Sequence, residues 1–129
     1  MVLSTYNKGA VSEYRAAAYF GEQGYEIFWN PTNGLRYDFI AFGDEGAIKV
    51  QVKTASWLNQ NGSKYLRASI RPKRPYKKGD FDFLVLVAPD RRLWVIPYDD
   101  VPKRSYVYLE RIDNTGQRKE GRWTQCQMI

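Results

Sequence analysis

RYDFIAFGDEGAIKVQVKT, residues 36–54, doubles back on itself about Gly43-Asp44-Glu45-Gly46, and its fold follows from that turn. With Asp44-Glu45 as a two-residue turn, Tyr37 pairs with Val52, Phe39 with Val50 and Ala41 with Ile48, so one face of the hairpin is apolar. The other face carries Asp38 opposite Gln51 and Arg36 opposite Lys53. Directly opposed Cβ atoms lie about 4.5 to 5.5 Å apart, and Lys53 follows Gln51 by about 6.8 Å along the same face. An acid, an amide oxygen and an ammonium therefore converge. The same pattern also describes a surface hairpin with one cross-strand ion pair.

Upstream, from about Lys8 to Gln23, Ala10, Val11, Tyr14, Ala17, Ala18 and Gly21 recur at helical spacing, with Gly24 as the stop. On the wheel Glu13 falls between Ala17 and Phe20, at the edge of the expected buried arc. A carboxylate there needs a partner, either a basic side chain on the sheet or the cluster on the hairpin. Tyr25 to Trp29 reads as a strand, and Asn30-Pro31-Thr32-Asn33-Gly34 as a turn.

Downstream, Ser56 to Asp80 reads as irregular, interrupted by Gly62, Pro72, Pro75 and Gly79, with a short strand possible over Tyr65 to Ile70. Phe81 to Ala88 (FDFLVLVA) is the near-continuous apolar run of a strand covered on both faces. Arg92 to Ile96 pairs with it through Pro89-Asp90-Arg91, Tyr106 to Glu110 adds an edge, and 113–125 is a polar tail, mobile or ordered by a partner, with only Trp123 to bury. The order predicts an α+β domain in which an N-terminal helix packs on one mixed β-sheet. The whole chain, 1–129, is expected to be one domain, with its core over about 8–102 and an edge strand and tail over 103–129.

Composition narrows the chemistry. A formal charge of +6 and a pI near 9.5 favour a polyanionic partner, nucleic acid before an acidic membrane surface. No apolar stretch approaches the roughly 20 residues that span a bilayer, and the N-terminus lacks a secretory core, so a cytoplasmic, DNA-associated protein is expected. With one cysteine and no histidine, neither a zinc site nor a histidine-activated nucleophile can be assembled. Catalysis must run on carboxylates, lysine and a hard cation. Mg²⁺ takes oxygen ligands and keeps several waters, so Asp38 and Gln51 together with a substrate phosphate suffice, while Lys53 can steady a metal-bound hydroxide or the transition state.

In this arrangement the chain resembles the PD-(D/E)XK nuclease superfamily, whose core is a helix followed by a three-stranded meander. Asp38 in RYDF matches the first acid, Gln51-Val52-Lys53 the second acid and the lysine, and Glu13 in VSEYRAA the helical glutamate of many members. The likeness is closest to the branch of group I intron homing endonucleases, and more distant to archaeal-type Holliday junction resolvases. It extends over roughly Lys8 to Pro102. Tyr37 stands where the motif has proline, and Gln51 where it has an acid; the second change removes a charge from the metal site and raises the importance of Glu13. The resemblance implies a restriction-endonuclease-like fold and catalysis by Glu13, Asp38, Gln51 and Lys53. It also implies Mg²⁺, with Mn²⁺ as a substitute, held by Asp38, Gln51, Glu13 and the Val52 carbonyl.

For DNA, the segment 64–78 supplies Lys64, Arg67, Arg71, Lys73, Arg74, Lys77 and Lys78 without an acid, a density that gives salt-sensitive phosphate binding. Arg36 and Lys49 are placed to clamp the scissile phosphate, and Trp57, Tyr65 and Tyr76 could stack on bases or simply pack. Cutting both strands needs at least two active sites, so a homodimer or dimer of dimers is expected, with Trp94, Val95 and 101–108 as interface candidates. The leading expectation is a site-specific homing-type DNA endonuclease. A branched-DNA resolvase of the same fold, a catalytically idle DNA-binding module and an RNA-binding basic protein are the alternatives.

Overall fold

A computed structural model describes residues 5–32, 35–71, 75–121, 123 and 127–128. Helix α1 (Thr5–Glu22) ends where Gly24 takes φ 96° and the Tyr25 amide donates to the Phe20 carbonyl at 3.1 Å. Together with the Gly24 amide donating to Gly21, that pattern satisfies the last helical carbonyls. Its buried stripe is Ser12, Ala16, Ala17 and Phe20. The stripe expected from the sequence is rotated from this one, since Tyr14, Ala18 and Gly21 are not among the buried residues and Tyr14 is exposed.

Six strands form the larger sheet in the order β1 (Glu26–Trp29), β2 (Phe39–Gly43), β3 (Gly46–Thr54), β6 (Phe83–Val87), β7 (Arg92–Pro97) and β10 (Gln127–Met128). Among the described residues only the β3 to β6 pairing is parallel, so the sheet is mixed. The β2–β3 register is Phe39 to Val50, Ala41 to Ile48 and Gly43 to Gly46, with Asp44-Glu45 as the two-residue turn. Gly46 has φ 106°, a conformation open to glycine at no steric penalty.

A second sheet, of four strands, runs β4 (Ser56–Gln60), β5 (Ser63–Ser69), β8 (Tyr106–Ile112) and β9 (Arg118–Glu120). It overturns three expectations: 56–69 is a regular hairpin, the domain has two sheets rather than one, and β8 lies between β5 and β9 rather than at an edge. Asn61 and Gly62 are both at positive φ, 51° and 79°, the two-residue hairpin turn whose twist matches its strands.

The larger sheet is covered on both faces. Ala16, Ala17 and Phe20 of the helix pack with Phe39, Ala41, Val50, Val52, Val85, Val87 and Leu93. On the opposite face Leu84, Leu86, Trp94 and Ile96 pack with Leu66, Ala68, Val107 and Leu109 of the second sheet. The alternation within β6, valines one way and leucines the other, makes it the doubly covered strand that its composition predicts. Trp94 is 2% exposed inside this second layer, which removes it from the interface candidates. Tyr37 also departs from expectation: it packs with the cluster between the sheets, away from Val52, because the chain bends at Asp38 where the β2 ladder has already ended.

Candidate active site

Where β2 stops and β3 continues, the sheet leaves a seam, and Asp38 fills it. Its amide donates to the Val50 carbonyl at 2.7 Å, and its Oδ2 accepts the Val52 amide at 2.6 Å, so the side chain takes the place of a missing strand neighbour. Asn30 holds the bend from behind: its amide donates to the Asp38 carbonyl at 3.1 Å and its Nδ2 to the Tyr37 carbonyl at 2.9 Å. The seam is fixed by backbone, not by packing alone.

Asp38 is the electrostatic centre of the group. Burial raises its carboxyl above the ordinary range, while the Val52 amide and the Lys53 ammonium pull it down. Glu13, half-buried on α1, is raised by burial and then by the negative charge of Asp38. Asp38 thus acts on Glu13 and feels Lys53. Gln51 sits two residues before Lys53 on β3, half-buried, on the strand face opposite Val50 and Val52. Val52 spends its N–H on Asp38 and buries its side chain toward the helix.

Two features of this region escape sequence reasoning. Ser12 Oγ and Thr54 Oγ1 are 2.7 Å apart, a bond from the helix to the end of β3 that flanks Glu13 and Lys53 and fixes the helix against the catalytic strand. A serine at the spacing of the helical stripe is the available signal. Tyr76 is the second: burial raises its phenol, Arg36 lowers it, and Asp38 and Asp80 raise it, so it stands within the field of Asp38. The β2–β3 ladder ends at Phe39, short of Arg36, so Arg36 makes no ladder pair with Lys53; its guanidinium covers the Tyr76 ring at 4.8 Å.

The basic residues are dispersed. Lys49 Nζ donates to the Gly79 carbonyl at 3.0 Å and lies 5.9 Å from the Tyr37 ring centre, bracing the 77–82 turn. Lys78 meets Asp99 at 3.8 Å between exposed side chains. Lys64 and Arg71 are exposed, and Lys73 and Arg74 lie outside the described residues. Arg67 joins an aromatic ladder on the outer face of the second sheet. Its guanidinium stacks 3.9 Å over Tyr106 and donates to the Tyr108 hydroxyl at 3.2 Å, Tyr108 meets Tyr65 edge-on at 5.9 Å, and Arg111 covers Tyr65 at 5.7 Å. The alternation of Tyr106 and Tyr108 in the sequence carries that face.

Among the described residues no three histidine, cysteine or acidic side chains gather as a metal cluster. The donor set is two carboxylates and an amide. Two acids held above the ordinary carboxylate range, Glu13 by burial and the charge of Asp38 and Asp38 by burial, suit a hard cation that completes its coordination with water and substrate oxygens.

A family model described as PD-(D/E)XK endonuclease matches residues 3–127. The chain belongs to the PD-(D/E)XK endonuclease family. Protein 5.3 of Escherichia phage T7 is 33% identical over 115 residues, spanning 88% of this chain and 92% of that protein. Among solved structures, the bacterial homing endonuclease I-Ssp6803I aligns with a TM-score of 0.68 at 26% identity, over 83% of this chain and 78% of that one. The α+β restriction-endonuclease-like fold and the likeness to the homing endonuclease branch are borne out, and the protein is an endonuclease. Members of the family generally use divalent metals, and DNA is the substrate that membership implies. No helix among the described residues is long and apolar enough to cross a membrane.

Proposed function

We propose that this PD-(D/E)XK endonuclease hydrolyses DNA phosphodiesters with Mg²⁺ as cofactor, Mn²⁺ substituting, and acts as a site-specific, homing-type enzyme. The observation that carries the reading is Asp38, pinned by the Val52 amide at 2.6 Å, whose charge acts on Glu13 and which feels the charge of Lys53. Asp38, Glu13 and the Gln51 amide are the side chains that would hold the cation, with the Val52 carbonyl as a further oxygen. The bound cation would supply Lewis-acid polarisation of the phosphate and a water made easier to deprotonate.

The protein's own groups do the rest. Lys53 brings a positive charge that Asp38 feels, and that charge counters the negative charge that grows on the phosphoryl oxygens. The Ser12–Thr54 bond and the Val52–Asp38 bond hold the helix and both strands in register, so the groups need little rearrangement when substrate arrives. Arg36, braced on Tyr76, and Lys49, braced on Gly79, offer phosphate contacts at the rim.

DNA is taken to run across the second sheet, where Arg67, Arg111, Tyr65, Tyr106 and Tyr108 form a cationic, aromatic surface, with Lys64, Arg71, Lys77 and Lys78 as exposed cations that add phosphate contacts; Lys73 and Arg74 add two more positive charges to the same segment of sequence. A homodimer or dimer of dimers would cut both strands. The test is incubation of supercoiled plasmid with Mg²⁺ or Mn²⁺, in parallel with Asp38→Ala. Cleavage by the wild type and none by the variant supports the site, whereas equal cleavage by both refutes it. Cutting restricted to a four-way junction, with linear duplex left intact, would replace the homing reading with that of a resolvase.

A further inference from the structure

Beside Glu13 lies a recess of about 260 Å³ lined by Ala10, Glu13, Tyr14 and Trp29. Its two rings meet edge to face, 5.7 Å between centres and 82° between planes, and form a corner. Tyr14 is 65% exposed and Trp29 45% exposed, a large amount of aromatic surface to leave in water next to an active site. The corner is also held firmly. Trp29 meets Phe39 at 5.4 Å, Phe39 is fully buried, and Trp29 and Phe39 are register partners in the β1–β2 pair. Tyr14 follows Glu13 on the helix, and Phe39 follows Asp38. The walls of the recess therefore hang on the same two segments as the two carboxylates.

We infer that this recess takes one unpaired nucleobase of the DNA strand next to the scissile phosphate. Three properties select a base. The volume is below the roughly 300 to 1,000 Å³ of sites for larger ligands, so it suits a single ring system. Among the described residues no lysine or arginine lines it, and the one charged group is the Glu13 carboxylate, which repels a phosphate but accepts from a base amine or imino N–H. Its aromatic faces give stacking that is tolerant of base identity. A base inside an intact duplex is stacked on its neighbours and cannot enter, so DNA already opened at that position is favoured over paired DNA.

The inference rests on the reading of Glu13 and Asp38 as the catalytic carboxylates, and its test is separable from theirs. The Asp38→Asn protein is titrated with a short duplex carrying a single 2-aminopurine, either fully paired or within a two-nucleotide mismatch. The expected result is quenching of the mismatched probe by stacking, with about 10-fold weaker binding for Asp38→Asn combined with Tyr14→Ala and near-full retention with Tyr14→Phe. In the active protein, Tyr14→Ala should raise KM for mismatched DNA by a similar factor with a much smaller change in kcat. Equal quenching and equal KM with and without the Tyr14 ring would overturn the pocket. Failure of the wild type to cut any DNA would instead overturn the catalytic reading. Because Tyr14 is on the surface, its loss does not test folding, whereas Trp29→Leu would.

Discussion

The Asp38 carboxylate accepts the Val52 amide at 2.6 Å, and through that bond the end of one strand is joined to the middle of the next. A carboxylate used in this way is both a structural acceptor and a candidate metal ligand, and the two roles respond differently to substitution.

Asp38→Asn keeps an oxygen that can accept the Val52 N–H but removes the charge. The variant is expected to fold, with a circular dichroism spectrum like that of the wild type. Its plasmid cleavage should fall by more than about 100-fold, beyond the loss usual for a residue that only supports a metal ligand. Retention of a tenth of the activity would mean that Asp38 is there for the strand.

Glu13 and Asp38 are both raised, so the native protein holds their protons to higher pH than the unfolded chain does. Their contribution to stability is fully present below about pH 4, the unfolded carboxylate range, and is lost as pH rises through the raised native values. Glu13→Gln removes one of these titrations and lifts a negative charge from Asp38. In urea with chelator present, the variant should be more stable than the wild type at pH 7.5, and this advantage should shrink toward pH 4. An advantage independent of pH would show that neither burial nor Asp38 raises Glu13 in the native protein.

Far from the seam, Arg92 Nη1 donates to Glu110 Oε2 between side chains that are almost wholly buried, while Arg92 Nε reaches Asp90 at 2.8 Å and Arg118 reaches Glu110 at 3.1 Å. Glu110→Ala takes the buried carboxylate away from the Arg92 charge and leaves the half-exposed Asp90 beside it. A loss of about 3 to 5 kcal/mol in urea unfolding is expected, as is typical when one member of a buried pair is removed. A loss under about 1 kcal/mol, the worth of an exposed pair, would mean that water reaches the arginine.

Arg67 stacks on Tyr106 and bonds Tyr108, so its charge is held at a fixed place on the second sheet. If DNA crosses that face, Arg67→Ala should weaken binding to any duplex and reduce the slope of log affinity against log salt by about 0.9 for each phosphate that the guanidinium no longer neutralises. An unchanged slope in fluorescence anisotropy would move the DNA to another face.

How much of this can be read from the chain alone depends on how local the cause is. The β2–β3 hairpin is legible because alternation and turn residues act over neighbouring positions, and the two-sided burial of β6 because an unbroken apolar run has few other uses. The second sheet is not: Asn61-Gly62 reads as an interruption when it is the turn that makes β4 and β5 pair. Strict alternation puts Tyr37 on the wrong face because it takes no account of the bend at Asp38 that the Asn30 bonds create. Of the candidate site, Glu13 feels the charge of Asp38, and Asp38 that of Lys53, along the order that the hairpin and helix patterns suggest. Ser12 and Tyr76 reach the region across long separations in the chain, Ser12 meeting Thr54 42 residues on, which no window on the sequence can see.

β3 leaves the larger sheet at Thr54, and the chain does not rejoin it until β6 begins at Phe83, in a strand running parallel to the one it left. Parallel neighbours demand a long crossover, and here that obligatory detour is the β4–β5 hairpin and the basic segment after it. Glu13, Asp38, Gln51 and Lys53 all lie before that detour begins. The Asn61-Gly62 tip and the seam at Asp38 are set by separate pairings, β4 with β5 and β2 with β3, so a change in the length of the tip leaves the register at the seam in place.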